Sequence, residues 1–109
     1  MQKLTGLIKE VAATLGNQYT LILIDDSWCI YRDLGNGYDI EINMSKTRKY
    51  PLNVTVYVWQ IRDKLRVIEK IDEIREIEDL KYVLAGIVTK TNKLATNRNK
   101  VYKPILQTF

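Results

Sequence analysis

Residues 54–61, Val-Thr-Val-Tyr-Val-Trp-Gln-Ile, restrict the fold of this chain more than any other stretch. They are dense in β-branched and aromatic residues, which pack well on a pleated surface and lose rotamer freedom in a helix. Strand geometry sends Val54, Val56 and Val58 to one face and Thr55, Tyr57, Trp59 and Ile61 to the other. The second face is therefore apolar as well as the first, and it asks for cover beyond what two helices supply.

The flanking segments supply the rest of a sheet. Residues 19–25 form an apolar run of strand length, which reads as a strand covered on both faces. Asp25-Asp26-Ser27 reads as a turn, residues 28–33 as a second strand, and Gly35-Asn36-Gly37 as a tight hairpin loop with positive-φ residues. Tyr38, Ile40 and Ile42 then alternate with Asp39, Glu41 and Asn43, a pattern that predicts one core face and one wet face. Residues 44–53 are a basic, broken loop. Arg62-Asp63-Lys64 turns the chain into a fifth strand at 65–71, with Leu65, Val67 and Ile71 sharing a face.

Helices are expected at both ends of this series. Leu4, Leu7, Ile8, Val11 and Leu15 form one helical stripe, and Gly16 suits its end. Between Val67 and Leu84 the period is ambiguous, because Ile68, Ile71, Ile74, Ile77, Leu80 and Val83 recur every three residues. From Ile77 onward, Leu80, Leu84, Ile87 and Val88 settle on one stripe, and a second helix is expected over about 75–93. The order α-β-β-β-β-β-α predicts a two-layer α+β domain, with an antiparallel sheet of about five strands and both helices on one face. Residues 1–93 make this single domain, and 94–109 read as a basic and apolar tail that is partly packed.

Charge is segregated along the chain. Successive blocks 1–43, 44–66, 67–79 and 80–109 sum to −3, +5, −4 and +6. Such patterning bears on what a surface attracts and little on fold. Lys9 and Glu10 interrupt the apolar run that a signal peptide would need, no stretch approaches the length of a membrane span, and a cytoplasmic protein is expected. Cys29 is the only cysteine, which suits a buried thiol in a reducing compartment.

Chemistry finds few footholds. The chain has no histidine, and with it go the side chain that best trades protons near neutral pH and the commonest metal ligand. Asp25, Asp26, Asp33, Asp39 and Glu41 can in principle hold Mg²⁺, but turn composition and a wet strand face explain them without a metal. Gly35-Asn36-Gly37 precedes a strand, so no helix N-terminus follows it to cradle a phosphate. The expectation is a non-enzymatic module with no cofactor, no metal and no small-molecule substrate.

Two binding readings remain. The first is a protein partner or a homodimer. It would be held through Tyr57 and Trp59 and through Tyr102, Ile105 and Phe109 of the tail, with Arg48, Lys49, Lys100 and Lys103 as polar or steering contacts. The alternative is nucleic acid, with the basic segments on phosphates and Tyr31, Tyr57 and Trp59 as stacking surfaces.

Overall fold

The computed structural model describes residues 6–45, 47 and 49–108, with side chains described as far as Asn97. Helix α1 (Gly6–Leu15) is followed by β1 (Thr20–Ile24), β2 (Ser27–Asp33), β3 (Tyr38–Asn43), β4 (Val54–Gln60), β5 (Arg66–Ile74) and helix α2 (Ile77–Thr108). The strands form one antiparallel sheet in the order β1-β2-β3-β4-β5, a meander in which each strand pairs with its neighbour in sequence. This is the expected α+β architecture.

Both helices cover the same face. Ile8, Val11 and Ala12 of α1 and Leu80, Leu84 and Ile87 of α2 join Ile30, Ile40, Ile42, Val54, Val56 and Val58 in a single core. The cross-strand pairs Ile30↔Ile42, Ile42↔Val56 and Ile40↔Val58 place this set on one side of the sheet. The stripe read from the sequence for α1 is the buried one, apart from Leu4, which lies outside the described residues. Gly16, with φ of 105°, ends the helix in a conformation that only glycine adopts without strain.

Three connections set the register. Asp25 and Asp26 both take positive φ (49° and 64°) in a two-residue turn between paired Ile24 and Ser27, as a right-twisted hairpin requires. At the next hairpin the Asp33 carboxylate accepts Gly35 N–H at 2.8 Å and the Asn36 side-chain carbonyl accepts Tyr38 N–H at 3.1 Å. The long β3–β4 loop forms no element, yet it is anchored by buried Met44, Thr47 and Leu52. Thr47 Oγ1 donates to Asn53 O and accepts Asn53 N–H at 2.9 and 2.8 Å.

The structure differs from the sequence reading in three places. β1 is an edge strand, and Leu23 is 43% exposed, so its apolar run does not mark a strand covered on both faces. Val67 and Ile71 do not share a face. Val58 pairs with Glu69 while Trp59 pairs with Val67, so an extra residue on β5, Ile68, turns Val67 to the side opposite the helices; Ile71 stays in register with core residue Val56. Finally, α2 does not stop near Lys93 but continues to Thr108. Apolar periodicity reports burial, whereas helicity needs only local hydrogen bonds and tolerant residues such as Lys, Leu and Ala.

Candidate functional site

The face of the sheet away from the helices carries the side chains that alternate with the core set: Cys29 and Tyr31 on β2, Asp39 and Glu41 on β3, Tyr57 and Trp59 on β4. No described helix lies over it. The pattern of β3 predicts a wet face here, and the structure corrects that expectation, since Asp39 is 7% exposed. Its neighbours are large: Tyr31, Trp59, Ile24, Ile61 and Leu65 share with Asp39 and Glu41 the lining of a depression of about 180 Å³.

Two hydrogen bonds organise the floor. The Tyr31 hydroxyl donates to Asp39 Oδ2 in a short bond. The Trp59 indole N–H donates to Glu41 Oε1 at 3.1 Å. The other Asp39 oxygen, Oδ1, is buried without a hydrogen-bond partner among the described residues. An unsatisfied buried acceptor is costly and uncommon.

Asp33, Asp39 and Glu41 make the β2–β3 part of this face negative. Burial raises Asp39 above the usual carboxylate range, and Asp33, paired with it across β2 and β3, raises it further, while the Tyr31 hydrogen bond pulls the other way. Burial and then Asp39 raise Tyr31 as well. The Cys29 thiol is pushed up to about 11 by burial and by Glu41 and Asp25. A buried thiol held protonated is a poor nucleophile and a poor metal ligand.

The rim is apolar. Ile61 is 40%, Leu65 69% and Val67 41% exposed, and all three fall at the β4–β5 end of the sheet. The β5 bulge assembles this rim by turning Val67 towards Trp59. No sequence periodicity announces it, because a bulge breaks the alternation from which faces are read.

Of the residues expected to bind a partner, Tyr57 and Trp59 stand together on this face and are half-buried. Lys70 of β5 lies over the Tyr57 ring, 5.8 Å from its centroid. Lys49 is exposed in the β3–β4 loop, away from any element. Arg48 and Phe109 lie outside the described residues, and of Lys100, Tyr102, Lys103 and Ile105 only the helical backbone is described. The alternation of β3 places Asp39 and Glu41 in water and gives no sign that they floor a depression. The available signal was the pair of aromatics, Tyr31 and Trp59, whose polar atoms seek partners when half-buried.

No protein family, curated protein or solved structure matches this chain.

Other surfaces are less organised. A larger depression, about 520 Å³, runs along the outer side of α2 past Tyr82, Gly86, Thr89 and Lys93, where one helix supplies no converging polar groups. Among the described residues no three Asp, Glu or Cys side chains gather as a metal ion would require. No helix among them is long and apolar enough to cross a membrane.

Proposed function

We propose that this protein is a non-enzymatic interaction module, adaptor- or inhibitor-like, that binds another protein through the helix-free face of its sheet. The carrying observation is the exposed apolar rim of Ile61, Leu65 and Val67 beside half-buried Trp59. Contiguous apolar surface bordered by polar groups is characteristic of association sites, and aromatic residues are preferred anchors there. A lone buried thiol fits action in the reducing cytoplasm.

The same face gives less support to nucleic acid. Tyr31 and Trp59 are engaged with carboxylates, and Asp33, Asp39 and Glu41 repel a phosphate chain laid across them, whereas Asp72 is paired with Lys70.

The test is quantitative affinity capture from the native host with three baits: wild type, Leu65→Asp together with Ile61→Asp, and Tyr82→Asp on the far side of α2. The expected result is a partner retained by wild type and by the Tyr82 variant and lost from the rim variant. Retention by all three baits, or a salt-sensitive nucleic acid as the retained species, overturns the reading.

A further inference from the structure

The floor of the open face narrows the chemistry of what binds there. Its depression of about 180 Å³ is below the several hundred Å³ of a typical small-molecule pocket and suits one inserted side chain. Its lining holds two carboxylates and no cation among the described residues. One carboxylate oxygen, Asp39 Oδ1, is buried and without a hydrogen-bond partner. The flanks, Ile24, Ile61 and Leu65, are aliphatic.

Resting on the protein-binding reading above, we infer that the partner presents a basic side chain, arginine before lysine, flanked by apolar residues, and inserts it between Tyr31 and Trp59 onto Asp39 and Glu41. Asp39 and Glu41 lie two residues apart on one face of β3, roughly 7 Å along the strand, a span that a planar guanidinium with five donors can bridge better than a point-charged ammonium. Trp59 and Tyr31 offer ring surface on which a guanidinium stacks. An arriving cation offsets the repulsion between Asp33 and Asp39 across the β2–β3 ladder. Burial is the first cause of the upward shifts of Cys29, Tyr31 and Asp39, and neighbouring carboxylates add to each. An acidic or phosphorylated segment meets those carboxylates with the wrong sign.

Three capped tripeptides test this in ¹H–¹⁵N correlation spectra of the full chain at millimolar peptide: acetyl-Leu-Arg-Leu-amide, the same peptide with neutral citrulline for arginine, and acetyl-Leu-Glu-Leu-amide. The arginine peptide is expected to shift the Trp59 indole N–H and the β3 amides saturably, and the citrulline peptide to bind at least ~10-fold more weakly, about 1.4 kcal/mol. The glutamate peptide is expected to leave the spectrum unchanged. Asp39→Asn and Glu41→Gln, each keeping an acceptor for its aromatic partner and each checked for a native spectrum, should bring arginine binding down to the citrulline level. Equal binding of arginine and citrulline, or no shift with any peptide while capture still depends on Leu65, overturns the basic-side-chain inference and leaves the protein-binding reading standing. Loss of the Leu65 dependence in capture sinks the wider reading instead. A dimer seen by light scattering that Asp39→Asn or Glu41→Gln dissolves makes the occupant a second copy of this chain and overturns the separate partner.

Discussion

Glu41 Oε1 accepts the indole N–H of Trp59 at 3.1 Å, reaching diagonally from β3 to β4 across the open face. The direct cross-strand neighbour of Glu41 is Tyr57, and that of Trp59 is Asp39. The bond therefore ties two adjacent pairs into one patch and holds the indole over the floor. Removing its acceptor with Glu41→Ala is expected to cost about 1 kcal/mol, the usual value of such a bond, and to move the Trp59 indole N–H resonance. Glu41→Gln retains an acceptor and should cost less than half as much. Urea unfolding followed by far-ultraviolet circular dichroism, with the indole resonance as the local readout, checks both.

Asp39 should make the protein less stable as pH rises. Tyr31 and Asp33 of β2, Glu41 of β3 and Trp59 of β4 surround its carboxyl, and its value in the folded chain is raised, first by burial. The folded state then holds the proton more tightly than the unfolded chain. The associated stability is present below the ordinary carboxylate value of about 3.9 and is lost as pH climbs through the raised one. Asp39→Asn removes that slope, and relief of a buried, under-bonded charge is expected to stabilise by about 1 kcal/mol at pH 7. Melting temperatures of both proteins between pH 3.5 and 8 give the test, with parallel curves as the contrary result.

Cys29 is expected to be inert until the sheet opens. It is 1% exposed, with its thiol pushed up to about 11. At pH 8 the folded protein then holds only about 0.1% thiolate, against roughly a quarter in an unfolded chain with a free thiol near 8.5. Alkylation by iodoacetamide should run more than ~100-fold slower in buffer than in denaturing urea. Mass spectrometry over time distinguishes this from a reactive thiol, which would label at similar rates in both.

Asn36 joins the β2–β3 hairpin to α2. Its side-chain N–H groups donate to Thr91 Oγ1 at 3.1 Å and to Asn92 Oδ1 at 2.7 Å, and buried Thr91 in turn donates to Ile87 O at 2.9 Å. Asn36→Ala is expected to cost about 1–2 kcal/mol, since it also leaves a buried hydroxyl short of a donor. Amide exchange around residues 87–92 should accelerate in that variant more than around Leu80. Uniform acceleration along the helix would place the loss in global stability instead.

The apolar threes of Ile68, Ile71 and Ile74 show where legibility stopped. Their spacing suits neither a straight strand nor an ideal helix, and the reason is two irregularities in β5. One extra residue near Ile68 and another near Glu73, which has φ of 59°, let Ile71 and Ile74 both face the core opposite Val56 and Val54. A similar ambiguity affects β1, where the run over 19–25 reads as a strand covered on both faces although the strand lies at the edge. An unbroken apolar run states that both faces touch something apolar, but it does not say how much of each is covered.

Local periodicity and turn chemistry determined the element order, the antiparallel pairing and the core stripe from Ile8 to Ile87, because each follows from neighbours within a few residues. Only the tertiary structure decided that Asp39 is buried, that Glu41 meets Trp59, and that Ile61, Leu65 and Val67 crowd the same rim. Those facts depend on which strands lie side by side and on one inserted residue in β5. A bulge shifts facing and register at once, and side chains on either side of it are read in the wrong relation until the partner strand is known.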